Sequence, residues 1–266
     1  MSDRLLPLSG ASFGANPSFV DLLRDSRPDE LAYLGQTVSA ESAAGVPHGT
    51  TVLGLIYSDG VLVAGDRRAT SGYSIADDTM RKVFAADDYS AIAIAGAAGM
   101  AVEMVRLFQL ELEHYEKLTG DRLSLEGKAN RLAQLIRQNF SLAMQGLVVV
   151  PLFGGFDERR DAGRLFYYDA TGGRWEEDDY QATGSGAQPA KNSLKKRWRD
   201  GLTREEAVKA AVEALLDASE DDVATGGPSV YRRIFPIALA VTASGADEVP
   251  ESEVETAVNA VLEERT

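Results

Sequence analysis

The chain has 266 residues, long enough for one large domain with a sizeable core or for two small ones, and its 44% hydrophobic and 26% charged content is ordinary globular composition. A net charge of −14 argues against a nucleic-acid or anionic-membrane surface. With no cysteine there are no disulfides, which fits a reducing compartment such as the cytoplasm, and with only His48 and His114 present no zinc site is expected.

Residues 1–47 mix Gly10, Ser12, Gly14, Asn16, Pro17, Pro28, Ser39 and Gly45 with short, weakly periodic pieces such as Phe19-Val20-Asp21-Leu22-Leu23. No basic start leads into a long apolar core, so a secretory signal is not expected. No apolar run approaches membrane-spanning length. By composition the segment reads as a tail.

The texture changes at Gly49-Thr50. Thr51 to Tyr57 and Val61 to Asp66 read as strands around Ser58-Asp59-Gly60, where Asp-Gly is a hairpin turn signal. A second hairpin is expected from Arg81 to Ala85 and Tyr89 to Ala95. Ala101, Val105, Phe108, Leu112 and Tyr115 then give one helical face ending near Gly120, and Leu125, Ala129, Leu132, Ile136 and Phe140 give another. His114 sits in the charged stretch Glu111 to Lys117 and reads as a surface position, which leaves no histidine for a Ser-His-Asp arrangement.

Strands follow at Leu147 to Phe156, Arg164 to Tyr168 and Trp175 to Gln181. Helices are expected from Pro189 to Arg197 and from Thr203, which offers a capping box to Glu206. Arg233 to Val241 reads as a strand. A last helix is expected near Ser252, with a box to Glu255. This order describes an α+β chain. Two sheets packed face to face, with helices on both outer faces, would bury all these apolar sides.

Thr50 carries the chemical interest. If the chain were cut after Gly49, Thr50 would hold a free α-amino group beside its own hydroxyl, a nucleophile and its base on one residue. Gly49 has no Cβ to obstruct the hydroxyl's approach to the preceding carbonyl. Alone, the pair is also an ordinary turn before a strand. Asp66 ends the second strand and Lys82 starts the third. A lysine entering an apolar strand must either snorkel or find a carboxylate, and Asp66 is the candidate partner, whether in a structural ion pair or beside Thr50 to stabilise an alkoxide. No glycine-rich phosphate-binding string occurs.

Gly49-Thr50-Thr51, Gly65-Asp66-Arg67-Arg68, Arg81-Lys82-Val83, Ala95-Gly96-Ala97, Gly184-Ser185-Gly186 and Asp222-Val223-Ala224-Thr225-Gly226, in that order, resemble the 20S proteasome β-subunit family in its actinobacterial form. The resemblance runs from about Gly49 to the C-terminus. It implies the four-layer α-β-β-α sandwich of N-terminal nucleophile hydrolases, made of two antiparallel sheets. It also implies a propeptide over 1–49 removed by self-cleavage at Gly49-Thr50, and a catalytic domain over 50–266.

On matching positions it implies Thr50 as nucleophile, Asp66 and Lys82 as its charge partners, and Gly96 N–H as oxyanion donor. Ser185, Asp222 and Thr225 would surround the terminal amine, with Thr225 standing where the family often has serine. Thr70 would bind substrate backbone by strand addition. Ala69, Met80, Ile94 and Ala98 would line an apolar first specificity pocket. No metal or cofactor is implied. The implied partners are α subunits and further copies of the chain in seven-membered rings, a regulatory ATPase, and polypeptide substrates, with no nucleic acid and no membrane. A non-catalytic ring subunit, a small-molecule amidase with the same nucleophile, and the two-ring relative without α subunits remain as other readings. Gly184-Ser185-Gly186 also reads as a plain loop, and Asp222 as part of the solvated run Glu220-Asp221-Asp222.

Overall fold

In the strands that follow Thr50, alternate residues are apolar on both faces, so each strand needs two covers. In β2 (Gly60–Gly65), Val61 and Val63 belong to one buried cluster while Leu62 and Ala64 belong to another. In β6 (Ser90–Gly96), Ala91, Ala93 and Ala95 face one way and Ile92 and Ile94 the other. A sheet built of such strands is stable only between two apolar layers. A computed structural model, which describes residues 49–71 and 74–265, has that arrangement.

One antiparallel sheet runs in the order β10 (Tyr180–Gly184), β1 (Thr51–Tyr57), β2, β11 (Ile237–Thr242), β12 (Gly245–Glu248). The other, also antiparallel, runs β5 (Val83–Asp87), β6, β7 (Val149–Asp157), β8 (Ala162–Tyr168), β9 (Arg174–Glu177). A small hairpin, β3 (Ala69–Ser71) with β4 (Ser74–Asp77), sits apart from both.

Val52, Val61, Val63, Leu239 and Val241 from the first sheet meet Val83, Ala91, Ala93, Ala95, Leu152 and Leu165 from the second. The outer face of the second sheet is covered by α1 (Ala98–Thr119) and α2 (Leu125–Gln138), through Val105, Phe108, Leu132 and Ile136 against Ile92, Phe153 and Phe166. A short α3 (Phe140–Ala143) follows. The outer face of the first sheet is covered by α4 (Ala187–Arg197), α5 (Arg204–Asp221) and α6 (Glu251–Glu264), whose Leu194, Val212, Leu215 and Val258 pack on Leu53, Leu55 and Leu62. Four layers result, as the strand and helix order anticipates. None of the described helices is long and apolar enough to cross a membrane.

Several elements depart from expectation. Trp175 to Gln181 is two strands, not one: β9 lies in the second sheet and β10 in the first, with the chain changing sheets at Asp178 and Asp179. Asp179 O accepts from Ile56 N–H (2.8 Å), which secures the handover. Arg233 to Val241 becomes a strand only at Ile237, because Pro236 brings no N–H to a ladder and Arg233 has φ of 52°. The hairpin β3–β4 and strand β12 were not anticipated.

Thr203 and Glu206 do form the expected capping box. The box from Ser252 to Glu255 does not form, since the last helix already starts after Pro250 and Ser252 lies inside it. His114 is exposed, as expected. Asp87, the last residue of β5, pairs at 2.5 Å with Lys128, a buried lysine. The expected propeptide lies outside the described residues except for Gly49.

Arg164 of β8, only 5% exposed, is held by carboxylates on three sides: Glu176 (2.6 Å), Asp157 (2.9 Å) and Glu126 (2.8 Å). The hydrogen bonds of Arg174 and Arg164 to Glu126, and of Arg164 to Glu176, hold both carboxyls below the usual range; for Asp157 burial pushes up, but the Arg164 and backbone bonds outweigh it. Removing a buried partner strands the others, so Arg164→Met is expected to cost about 3 kcal/mol in urea unfolding at neutral pH. A folded pKa below the unfolded one contributes stability above about pH 4 that is lost as pH falls through the folded value. The gap between Arg164→Met and wild type should therefore narrow in melts taken at progressively lower pH.

Candidate active site

Register brings three strand ends together. Thr51 pairs with Gly184 and Val52 with Gly65, so the start of β1, the end of β2 and the end of β10 coincide. Asp66 follows β2 directly and is 1% exposed. Its Oδ1 accepts from Lys82 Nζ (2.6 Å) and Thr51 N–H (2.8 Å), and its Oδ2 from Arg68 N–H (2.9 Å) and Gly226 N–H (2.8 Å). Four donors fill the carboxylate, which is what a buried charge requires.

Lys82 lies one residue ahead of β5 rather than within it, although its carbonyl already accepts from Ile94 N–H (3.0 Å). Its ammonium is also 1% exposed and has three donors, matched to Asp66 Oδ1, Arg68 O and, at 3.4 Å, Gly49 O. Burial pushes the Lys82 pKa below its ordinary value, against the pull of Asp66.

Thr50 is 4% exposed and its hydroxyl donates to Gly49 O at 2.6 Å. The carbonyl of the Gly49-Thr50 bond thus receives two donors, the hydroxyl and the ammonium, both aimed at the oxygen that would take up charge on attack. A Cβ on Gly49 would stand 2.1 Å from Thr70 Oγ1 and 2.9 Å from Ala224 O, so no other residue fits there without displacement. On the other side, Thr50 O accepts from Ser185 N–H (2.9 Å), with Ser185 Oγ 3.3 Å away. The turn after β10 therefore grips Thr50 by its carbonyl, and Gly184-Ser185-Gly186 is more than a connecting loop.

Asp222 caps the C-terminus of α5 and accepts on Oδ2 from Ser185 Oγ (2.5 Å) and Thr225 Oγ1 (2.5 Å). Burial pushes its pKa up, but these bonds and the backbone N–H groups of Ala224 and Thr225 bring it below the usual range. It differs from its neighbour Asp221, which is exposed.

Thr50, Asp66, Lys82, Ser185, Asp222 and Thr225 are joined by these hydrogen bonds. Of the other expected residues, Thr70 stands against Gly49, and the rest are placed by the elements that carry them. Gly96 ends β6 two residues beyond Ile94, with φ of 117°. Thr70 lies in β3 against Gly49. Ala69 is buried at the start of β3, and half-buried Met80 donates its N–H to Arg67 O (3.0 Å). Ile94 packs into the core beneath α1 and α2, and Ala98 is the first residue of α1.

Two positions were not assigned a role from sequence. Arg68 reaches Val223 O (3.0 Å) and Thr225 O (3.3 Å), tying the loop after α5 to the end of β2. Thr51, read as a strand residue, bonds through its side chain to Thr225 (2.6 Å) and Gly186 N–H (2.9 Å). Both stand in the strings that carry the family resemblance, but apart from that each is only a polar residue bordering an apolar strand.

The family model for the proteasome subunit matches residues 46–231. The proteasome subunit beta of Streptomyces griseus subsp. griseus is 53% identical over 248 residues, which cover 93% of this chain and 88% of that protein.

Asp222→Asn removes a charge whose folded pKa is lowered, so its contribution is present above about pH 4 and is lost as pH falls through the folded value. The variant is expected to be less stable than wild type by about 1 kcal/mol at pH 7, after allowing for solvent screening, and to converge with it as pH is lowered below the usual carboxylate range. Chemical denaturation at neutral and at low pH measures this.

Proposed function

The chain belongs to the proteasome subunit family, and on that footing we propose that it is the catalytic β subunit of a 20S core particle, working in the cytoplasm as an N-terminal threonine endopeptidase on unfolded polypeptides. The observation that carries this reading is the Thr50 hydroxyl, 2.6 Å from the carbonyl oxygen of Gly49, with Lys82 Nζ 3.4 Å from the same oxygen. The uncut chain is thereby its own first substrate.

Maturation begins when Thr50 Oγ1 attacks the Gly49 carbonyl carbon. The hydroxyl proton ends on the departing Thr50 nitrogen, and Gly49 is left as an ester on Thr50. Water then hydrolyses that ester, releasing the Gly49 carboxylate and restoring the hydroxyl. Segment 1–49 acts as the propeptide, and 50–266 as the mature chain.

In turnover the freed amine takes the Thr50 proton as Oγ1 attacks a substrate carbonyl, then passes it to the leaving amine; water resolves the acyl ester. Lys82, a like charge to the ammonium and an opposite one to the alkoxide, lowers the pKa of the amine and favours the nucleophile. Asp66 holds Lys82 in place, and Gly96 N–H serves the oxyanion. Ser185, Asp222 and Thr225 surround the amine. No cofactor takes part in these steps.

Gly49 lies where the residue before a scissile bond would lie, and Thr70 borders it, which supports Thr70 as the edge along which substrate adds as a strand. With Ala69, Met80, Ile94 and Ala98 as pocket residues, cleavage follows apolar or aromatic side chains. The chain assembles with α subunits and further copies of itself in seven-membered rings, α7β7β7α7, with a regulatory ATPase docked through the α subunits.

Intact mass after co-expression with the α partner tests the reading. Wild type is expected to lose 1–49, while Thr50→Ala keeps it. Assembled wild-type particles that retain 1–49 and hydrolyse no peptide would sink it and favour a structural ring subunit. Gly49→Ala is expected to slow processing at least tenfold, because its methyl group displaces the scissile carbonyl from the hydroxyl and misplacements of about 1 Å cost on the order of a hundredfold. A time course of the mass shift reads that rate.

A further inference from the structure

The Thr225 hydroxyl is the middle of a hydrogen-bond chain whose direction follows from counting protons. A hydroxyl has one proton to donate and two acceptor sites. Thr225 Oγ1 gives its proton to Asp222 Oδ2 (2.5 Å), so the proton in its 2.6 Å contact with Thr51 Oγ1 belongs to Thr51. Thr51 Oγ1 in turn accepts from Gly186 N–H (2.9 Å). The chain runs one way, from Gly186 through Thr51 and Thr225 to Asp222. Both threonines are fully buried, at 0% exposure, so water does not compete for these bonds.

Gly186 makes room for the arrangement. A Cβ there would stand 2.6 Å from Thr225 Oγ1 and 2.7 Å from Thr51 Oγ1. Thr51 is fixed from its other side by its N–H, which donates to Asp66. Each end of the residue is therefore committed, one to the Lys82 ion pair and one to Thr225.

One acceptor site on Thr225 stays open. The Gly49-Thr50 bond is bracketed by Ala224, next to Thr225, by Ser185 on the Thr50 carbonyl, and by Thr51 itself. On the function proposed above, in which Ser185, Asp222 and Thr225 surround the freed amine, the Thr225 hydroxyl faces that nitrogen. That hydroxyl could serve the amine in two ways. As an acceptor it takes an amine N–H and leaves the nitrogen lone pair free; as a donor it would occupy that lone pair.

We propose that Thr51 is a positioning residue for the reaction at Thr50: by donating to Thr225 it holds the Thr225 proton on Asp222, and so reserves the lone pair of the amine for the Thr50 hydroxyl. The inference rests on Thr50 acting through its own amine. Bonds in such a chain polarise one another, so the Thr51 donor strengthens the bond from Thr225 to Asp222. The charged groups bonded into this network are Lys82, Arg68, Asp66 and Asp222, and all four remain when Thr51 is changed.

The test compares assembled particles carrying wild-type chain, Thr51→Val, Thr51→Ser, Thr51→Cys and Thr50→Ala on a fluorogenic peptide with an apolar residue before the reporter. Thr51→Val is expected to lower kcat roughly ten- to a hundredfold with KM little changed, the scale of a small misplacement of reacting groups. The acid limb of its kcat/KM profile should move to lower pH, since an amine accepting the Thr225 proton is harder to protonate. Thr51→Ser should restore both. If Thr51→Val does not assemble, Thr51→Cys, a weak donor of similar size, should show an intermediate kcat and a shift in the same direction.

Wild-type kcat and an unmoved acid limb in an assembled Thr51→Val or Thr51→Cys particle would overturn the proposal. So would a Thr51→Ser particle as impaired as Thr51→Val. Full activity in Thr50→Ala would instead overturn the nucleophile reading, and this inference with it.

Discussion

The carboxylate of Asp66 is the interaction on which the rest of the site depends. It takes one N–H from the start of β1, one from the turn after β2, one from the loop after α5, and the ammonium ahead of β5. Three segments distant in sequence, and the turn that carries Asp66 itself, are referenced to two oxygen atoms. Burying a charge that deeply is unfavourable unless every acceptor site is filled, and it is the convergence of those segments that fills them. Fold and site are therefore not separable here. The ladder between β1 and β2 sets the height of Thr51, and Asp66 sets the angle at which the chain enters that ladder.

The layers explain why the site lies at strand ends. Both sheets are buried on both faces, by valines and alanines between them and by leucines, isoleucines and aromatic residues against the helices. Inside the stack a charge survives only with its counter-charges beside it, as Arg164 and Lys128 do, and the polar groups of the site lie elsewhere. They collect where ladders stop, at Thr51, Asp66 and Gly184, and where α5 ends at Asp222. The rim of a rigid double sheet can hold a hydroxyl, an ammonium and two carboxylates in register while its interior supplies the stability.

The α+β order and most helices were legible because long amphipathic faces such as Val105, Phe108 and Leu112 leave little choice. The pairing of Asp66 with Lys82 was legible too, since an apolar strand next to a lysine demands a counter-charge. The change of sheet at Asp178 and Asp179 was not. A strand that leaves one sheet and enters another has the same local composition as one that continues, and only the pairing of β10 with β1 distinguishes them. The start at Ile237 was readable in principle from Pro236. The part Thr51 plays is not legible for a different reason: a buried threonine in a strand is ordinary by propensity, and its partner Thr225 is 174 residues away. Gly186 is similar, because what it avoids lies on other elements.

The grip of Ser185 on the Thr50 carbonyl has a kinetic consequence. On the proposed function Thr50 is anchored on the side of the chain that would survive processing, so cutting would free its nitrogen without releasing the residue. Activation then amounts to deprotection of a site already assembled, not to a rearrangement. Its rate constant is that of a unimolecular step whose reactants share a covalent frame. The half-life of the uncut chain, once it holds this conformation, does not change on dilution.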